Sequence, residues 1–381
     1  MMLKNIVDFY FFSHARKRVK EIRETYANPL KLQERTLFSI LDKARFTEFA
    51  RTYDFQSIKS ITTYQKRIPL FRYNDVRQWI EKTMAGKANI LWPGRIWDFA
   101  LTSGTTSGSK YIPISKELMV ADRRASMDCL AFYLTESDEH SLLEGKFLFL
   151  GGSTSLERLK SGSFAGDLSG ITSRHIPFIF SSLYEPGKKI ALISDWEKKI
   201  MKIAQKEVGV DIRGIAGIPS WLLVFFNRLL KEASRERGKD VNAVAEVWPN
   251  FSLLVHGGIN FTPYRDIFDK IIGKEIYYLE VYPASEAFIA IQDRKDEKGL
   301  LLMLDYDIFY EFVPEEEIGK ENPIRLTISD VEIDKNYAIV LTNNSGLYSY
   351  IIGDTVRFVN LNPPRLVVTG RVESFLSAFG E

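Results

Sequence analysis

TSGTTSGSK, residues 102–110, is the stretch from which the fold of this chain is deduced. Glycine permits positive φ, so backbone N–H groups can turn toward one centre, while the hydroxyl side chains add donors and the lysine adds a mobile positive charge. Such a loop is suited to wrapping a polyphosphate. It is not a Walker P-loop, because that motif places its second glycine five positions after the first and directly before the lysine. Here Gly108 follows Gly104 too early, and Ser109 separates it from Lys110.

A flexible glycine–serine linker is the alternative interpretation of the same run. A solvated linker should continue into polar sequence, yet apolar and aromatic residues flank this one at 91–92, 96–97 and 111–114. A helical pattern follows Ser115, which has the residue type of an N-cap. We therefore expect a phosphate loop between an apolar strand and a long helix.

Composition predicts a large globular protein. The 381 residues are 45% hydrophobic and 13% aromatic, enough for two or three lobes around a sizeable core. With 51 basic and 49 acidic residues, the formal charge of +2 is too balanced for a nucleic-acid surface or a polybasic membrane surface. The longest apolar run, residues 221–226, is far shorter than the about 20 residues that cross a bilayer. Neither a nucleic acid nor a membrane is an expected partner.

The chain has one cysteine, Cys129, so an internal disulfide is impossible, and its four histidines are too scattered to indicate a zinc site. Residues 1–20 lack a small-residue cleavage site and are interpreted as an amphipathic helix, not a signal peptide. A cytoplasmic location is expected.

Hydrophobic periodicity predicts helices over the first 90 or so residues and an α/β region after the loop. Short apolar runs at 147–150, 252–255 and 275–281 indicate buried strands, and helical patterns at 196–208 and 221–233 separate them. This alternation favours a mainly parallel sheet, whose ligands bind beyond the carboxyl ends of the strands.

From Leu300 the pattern changes to alternating β-type runs, which predict an antiparallel, β-barrel-like lobe. The runs cover residues 301–310, 324–328, 337–341, 347–352 and 356–359. Turns are expected at residues 343–346 and at Gly353 and Asp354, because asparagine, aspartate and glycine favour turn conformations.

Several motifs, taken in order, resemble those of the acyl-adenylate-forming superfamily. The closest resemblance is to the auxin-responsive acyl-acid amido synthetases, the family with the plant enzymes that join hormone carboxylic acids to amino acids. The motifs are TSGTTSGSK with the following YIP, IPSW at 218–221, Gly257-Gly258, YPASE at 282–286 and GLYSYIIGD at 346–354. The resemblance implies one large ATP- and acyl-binding domain over residues 1–370, with α/β lobes to about 299 and a β-rich lobe from 300.

The resemblance implies ATP and Mg²⁺ as cofactors and gives the first motifs their roles. Gly257 and Gly258 would form part of the wall beside the adenine, against which Tyr282 would lie. The phosphate-binding residues would be Thr102, Ser103, Gly104, Thr105, Thr106, Ser107, Gly108 and Lys110.

The remaining motif residues would hold magnesium and the ribose. Glu286 matches the family's acidic residue at the magnesium, with Ser285 beside it also binding the cofactor. Asp354 matches the carboxylate that holds the ribose hydroxyls, and Arg371 lies near the ribose at the boundary with a lid. The chemistry agrees, since a hard divalent cation prefers carboxylate oxygen and one carboxylate can accept bonds from two hydroxyls. Lys110 and Glu286 are the expected catalytic residues.

Each of these residues also has a purely structural interpretation. Tyr282 could pack at a strand end, Glu286 could be a solvated charge and Asp354 a turn residue. Arg371 could form a surface ion pair, and His256 is more often a satisfied strand-end histidine than a catalytic base.

The implied activity is a two-step ligase. A carboxylic acid would be adenylated by ATP with release of pyrophosphate, and the acyl group would then pass to the amine of an amino acid with release of AMP. No covalent enzyme nucleophile is needed, in agreement with the lack of a Gly-x-Ser-x-Gly elbow. The alternatives are an acyl-CoA ligase and a non-catalytic nucleotide-binding module.

Family members continue beyond the Gly370–Arg371 match into a lid of roughly 100 residues, a common size for a small domain. This sequence stops at Glu381, so residues 371–381 would be the hinge and the start of the lid. In the broader superfamily the lid brings a lysine to the adenylation site. We therefore expect measurable nucleotide affinity with slow adenylate formation.

Overall fold

The computed structural model describes residues 2–104, 108–137, 141–152, 156–175, 183–191 and 193–372. Helices dominate the first part of the chain, as periodicity predicts. They are α1 (Met2–Thr25), α2 (Pro29–Ala44), α3 (Glu48–Thr52), α4 (Ile61–Arg67) and α5 (Tyr73–Met84). No described helix is both long and apolar enough to cross a bilayer.

The described residues of the run, 102–104 and 108–110, lie at the facing ends of two paired strands. Strands β1 (Asp98–Gly104) and β2 (Gly108–Ile114) pair antiparallel, with Thr102 opposite Lys110. The expectation of a loop directly between a strand and a helix was wrong in this respect, because the β-branched and aromatic residues after the loop pair back onto β1 before helix α6 (Lys116–Ser137) begins. Ser115 caps α6 as predicted, its Oγ accepting the Leu118 N–H at 2.9 Å.

Strands and helices alternate through the middle of the chain. The elements are β3 (Lys146–Leu150), β4 (Glu157–Arg158), β5 (Phe164–Gly166), α7 (Leu168–Arg174), β6 (Tyr184–Glu185), α8 (Lys188–Ala191), α9 (Trp196–Glu207), β7 (Ile212–Gly217), α10 (Pro219–Arg237), α11 (Val244–Val247), β8 (Leu253–Gly257), α12 (Arg265–Ile272), β9 (Tyr277–Pro283) and β10 (Phe288–Ile291). A small sheet has the order β2-β1-β5-β4.

Five strands of the large sheet are parallel, in the order β6-β3-β7-β8-β9. The predicted strands and crossover helices of this region are confirmed. Phe225 and Phe226 of α10 and Phe268 of α12 are completely buried in the core formed with these strands. The carboxyl ends of β3, β7, β8 and β9 lie along one edge of the sheet, where ligands bind in such folds.

The antiparallel strands extend the same sheet. They are β11 (Leu300–Leu302), β12 (Ile308–Pro314), β13 (Asn336–Asn343), β14 (Tyr350–Leu361) and β15 (Pro364–Arg371). Eleven strands result, in the order β12-β13-β14-β15-β11-β10-β9-β8-β7-β3-β6. The sheet is continuous because β10 pairs antiparallel with both β9 and β11.

Three local expectations for the β-rich region need correction. The run 301–310 is divided between β11 and β12, and residues 324–328 form only an isolated bridge from Leu326 to Phe312. Gly353 and Asp354 are not a turn but lie inside β14. They form a bulge, because Ala338 and Val340 of β13 face Thr355 and Ile351, and Gly353 supplies the positive φ of 95°. The turn at 343–346 is present as predicted.

Candidate active site

The β1–β2 hairpin brings Lys110 to the site. The Tyr111 N–H, next along the backbone, donates to the Tyr73 hydroxyl at 3.0 Å, so α5 fixes the strand that carries the lysine. Lys110 is half-buried. Thr105, Thr106 and Ser107 lie outside the described residues.

The turn at 343–346 joins the hairpin to the 282–286 motif. Ser345 Oγ donates to the Pro113 carbonyl oxygen at 2.6 Å and accepts the Ser115 N–H at 2.8 Å. Asn343 Nδ2 donates to the Glu286 carbonyl oxygen at 2.8 Å. All these polar groups are buried, where a missing partner would cost about 1–3 kcal/mol. Three segments distant in sequence are therefore held together.

The backbone geometry at the sheet edge favours glycine at positions 257 and 258. Gly257 pairs with Val281 of β9, and a Cβ at Gly257 would collide with the Val281 carbonyl oxygen. Gly258 has φ of 84° and lies near Ile218, the residue before α10. The backbone therefore presents a side-chain-free surface immediately beside Tyr282.

Asp354 lies at the centre of a three-residue contact. The Tyr282 hydroxyl donates to Asp354 Oδ2 at 2.6 Å, and an Arg371 guanidinium nitrogen lies 2.9 Å from Asp354 Oδ1. The pairing of β14 with β15 places Asp354 directly opposite Arg371. Burial, followed by the Asp354 charge, raises the pKa of Tyr282 well above its usual value, so the phenol remains a neutral donor.

Glu286 is a buried carboxyl group, 8% exposed. Burial raises its pKa to about 7, and Asp354 adds to the effect, while Lys110 and Arg371 oppose it. Lys110, Asp354 and Arg371 are therefore all close enough to Glu286 to act on it electrostatically. The sequence-based hypothesis required this convergence. Ser285 is half-buried and makes no hydrogen bond with a described residue.

The Glu286 carboxyl group fits a magnesium ion that is bound partly by the protein and partly by the phosphates of a nucleotide. In the described residues, no three His, Cys, Asp or Glu side chains form a metal-binding group. Mg²⁺, however, usually takes one or two carboxylates and completes its shell with phosphate and water. Glu286 could supply one such carboxylate, and a cation bound beside it would favour its charged form.

Glu286→Gln is expected to stabilise the folded protein at pH 8 and to have little effect near pH 4. Because the folded pKa of about 7 exceeds the usual 4.5, folded Glu286 holds a proton that the unfolded chain has lost, and the free energy of unfolding falls as pH rises through this window. The gain at pH 8 should approach about 3 kcal/mol. Chemical denaturation at both pH values measures it, with the exposed Glu332→Gln as control; equal effects at both pH values would contradict the burial argument.

His256 is a packed core histidine, but it is not the satisfied one that its structural interpretation predicted, because its buried Nδ1 has no hydrogen-bond partner among the described residues. Its ring stacks on Phe261 with centroids 3.9 Å apart, and it is 3% exposed. Burial, with a smaller contribution from Arg265, lowers its pKa to about 3, so the ring stays neutral. No step of the proposed chemistry needs it.

The family models match most of this chain. The GH3 family N-terminal domain matches residues 18–186 and 155–276, and the GH3 family central domain matches residues 301–371. The chain belongs to the GH3 family. This confirms the family resemblance deduced from the motifs.

Curated relatives of this GH3 protein are named as amido synthetases. It is 22% identical over 408 residues to indole-3-acetic acid-amido synthetase GH3.2 of Arabidopsis thaliana, covering 90% of this chain and 73% of the relative. It is also 22% identical over 391 residues to jasmonoyl--L-amino acid synthetase JAR4 of Nicotiana attenuata, covering 86% and 66%. These relatives are ligases by name.

Solved structures confirm the predicted α/β acyl-adenylate-forming fold. AtGH3.15 acyl acid amido synthetase, in complex with 2,4-DB, superposes with a TM-score of 0.77 at 18% identity, covering 94% of this chain and 71% of that one. A 2-hydroxyisobutyryl-CoA ligase bound to 2-HIB-AMP and CoA gives 0.56 at 15% identity, covering 88% and 73%.

Proposed function

We propose that this GH3 protein is an ATP-dependent acyl-acid amido synthetase, which adenylates a carboxylic acid and transfers the acyl group to the amine of an amino acid. The observation that carries the proposal is that the Tyr282 hydroxyl bonds to Asp354, while Asp354 and Lys110 both act electrostatically on Glu286. The names of the curated relatives support the same reaction class.

The nucleotide would lie across the carboxyl ends of β8 and β9. Gly257 and Gly258 leave room for a flat base beside Tyr282, and Asp354 accepts hydrogen bonds from the ribose hydroxyls. Asp354 is prepared for this role, since Tyr282 and Arg371 already orient both of its oxygens. Arg371 would lie near the ribose.

The chemistry would proceed by two displacements. The substrate carboxylate attacks the α-phosphorus, the bond to the β-phosphate oxygen breaks, and pyrophosphate leaves with the electron pair. The amine then attacks the carbonyl carbon of the mixed anhydride, and AMP leaves. Lys110 and the hairpin N–H groups balance the charge that shifts among the phosphate oxygens, which is electrostatic preorganisation. Bound magnesium, held by Glu286 with the phosphates, would supply further charge neutralisation.

The location and domain division are part of the proposal. The one cysteine, Cys129, is buried and free, which suits a reducing cytoplasm. A division near residue 300 into α/β and β-rich lobes is supported by the family models, which break between residues 276 and 301.

Exchange of labelled pyrophosphate into ATP tests the first step directly. The wild type is expected to catalyse exchange only when a suitable carboxylic acid is present, because exchange requires reversible adenylate formation. A panel of aromatic and aliphatic acids should therefore contain active members, with acid-free reactions as control. Saturable ATP binding without exchange for any acid would favour the non-catalytic module.

The acceptor distinguishes the two ligase alternatives. With an active acid, amino acids are expected to give an amide and CoA no product, as analysed by mass spectrometry. The structural likeness to a CoA ligase makes CoA the necessary comparison. A thioester in place of the amide would show that the acceptor assignment is wrong while leaving the adenylation step intact.

A further inference from the structure

Tyr350, the first residue of β14, is a buried tyrosine that the reaction described above does not use. Its side chain is 2% exposed, and its hydroxyl makes no hydrogen bond with any described residue. Unlike the Tyr310 hydroxyl, the Tyr350 hydroxyl oxygen is not completely buried and so can be reached from outside. Tyrosine hydroxyls in protein interiors usually have a partner. A bound ligand can supply the missing acceptor.

The surroundings of Tyr350 are those of the phosphate side of the cleft. Burial makes the largest contribution to the raised pKa of Tyr350, and the charges of Glu286 and Tyr73 raise that pKa further. The phenol is therefore a neutral donor at physiological pH. Tyr73 is the residue that binds the Tyr111 N–H beside Lys110. Lys110 in turn acts on Glu286. Tyr350 thus lies among the hairpin, α5 and Glu286, on the side of the cleft that carries the lysine.

The backbone that carries Tyr350 is fixed by an unusual arrangement. Ser349 has a positive φ of 43°, a conformation that costs a non-glycine residue of order 1 kcal/mol or more. An Arg325 guanidinium nitrogen donates to Ser349 Oγ at 2.5 Å, and the same guanidinium forms two bonds to Glu311 at 2.8 and 2.9 Å. Phe71 bonds the backbone on both sides of Tyr350, through the Ser349 oxygen and the Ile351 N–H, each at 2.9 Å.

Strained residues held by several independent contacts are found preferentially at binding and catalytic sites. Here the contacts fix the direction of the side chain that follows the strained residue. A tyrosine that served packing alone would not need its hydroxyl to be held in one position, because its ring alone fills the space.

We propose that the Tyr350 hydroxyl donates a hydrogen bond to the pyrophosphate portion of the bound nucleotide, the β- and γ-phosphates that leave on adenylation. This inference rests on the proposed function. Asp354 and Tyr282 serve the ribose and the base, whereas Tyr350 lies with Lys110 and Glu286. Its ligand is therefore a polyphosphate oxygen, not a nucleoside hydroxyl.

The test is Tyr350→Phe, which removes only the hydroxyl. Isothermal titration with ATP, AMP and inorganic pyrophosphate, each with magnesium, is compared between variant and wild type. ATP and pyrophosphate should bind about tenfold to a hundredfold more weakly, as expected for a lost hydrogen bond to a charged group, while AMP affinity changes less than twofold. Tyr310→Phe is the matched control, since Tyr310 is also a buried tyrosine with a hydroxyl that has no described partner, but lies away from the cleft.

Unchanged ATP affinity in Tyr350→Phe would overturn the inference, as would equal losses for ATP and AMP, which would indicate a role in the nucleoside site or the fold. In either case the wild type still binds nucleotide and the proposed function stands. If the wild type binds neither ATP nor AMP, the proposed function fails, and this inference fails with it. Thermal unfolding of both variants shows whether the fold is retained.

Discussion

Asp354→Asn is expected to weaken the binding of ATP and AMP equally, by about a hundredfold to a thousandfold. The carboxylate accepts charge-assisted bonds from two ribose hydroxyls, and each such bond contributes about 1.5–3 kcal/mol. The amide keeps the shape but loses the charge and one acceptor, and it can no longer hold both the Tyr282 hydroxyl and the Arg371 guanidinium. Isothermal titration calorimetry measures the loss.

Two comparisons make this prediction specific. Asp334→Asn removes an exposed carboxylate from the same lobe, 4.0 Å from Arg357, and should bind both nucleotides normally. The wild type should bind an ATP analogue that lacks a ribose hydroxyl more weakly than it binds ATP. The Asp354→Asn variant should bind this analogue and ATP with nearly the same affinity. Full AMP affinity in Asp354→Asn would remove Asp354 from the ribose site. Equal weakening of ATP and AMP here contrasts with the ATP-selective effect expected for Tyr350→Phe.

Arg325→Met is expected to lower the free energy of unfolding by about 3–5 kcal/mol. Arg325 and Glu311 are 7% and 0% exposed, and removal of one partner leaves a buried, uncompensated charge. Arg325 also donates to the backbone oxygens of Gln65 and Ile68, at 2.9 and 2.6 Å, so two carbonyl groups at the end of α4 lose their donor. Chemical denaturation measures the stability. ATP affinity should fall as well, because Ser349 loses one of the contacts that fix the backbone at Tyr350.

The double variant Arg325→Met, Glu311→Leu provides the control. Replacing both charges with apolar groups of similar volume removes the buried charge, so much of the lost stability should return. ATP affinity should remain low in the double variant, since Ser349 Oγ still lacks its bonds to Arg325 and Glu311. Wild-type ATP affinity in a stable double variant would show that the ion pair serves stability alone.

The main elements of the fold could be predicted because local and tertiary preferences agree there. Strand β3 is apolar from Phe147 to Leu150, as expected for a strand inside a parallel sheet, and α10 begins with Pro219 and ends before Gly238. Gly353 and Asp354 misled the prediction because the same residue types favour turns and bulges. Only the pairing with β13 decides between them, and that partner lies outside any local window.

The ligand-facing residues of the candidate site could be proposed from short motifs, but their supports could not. Lys110, Glu286 and Asp354 each belong to a recognisable run, and in the structure both Lys110 and Asp354 act electrostatically on Glu286. Ser345 bonds to Pro113 across 232 positions, a contact with no local sequence signal. The role of Tyr73 also has no local sequence signal, since an aromatic residue at the start of a helix is most simply explained by core packing.

A structure of this GH3 protein with magnesium and a non-hydrolysable ATP analogue tests the central claim most directly. One nucleotide is expected at the carboxyl edge of β8 and β9, with ribose hydroxyls at hydrogen-bond distance from Asp354, the base beside Tyr282, and the triphosphate under the hairpin near Lys110 and Glu286. A nucleotide bound elsewhere, or one that contacts Asp354 while its phosphates point away from Lys110, would contradict it.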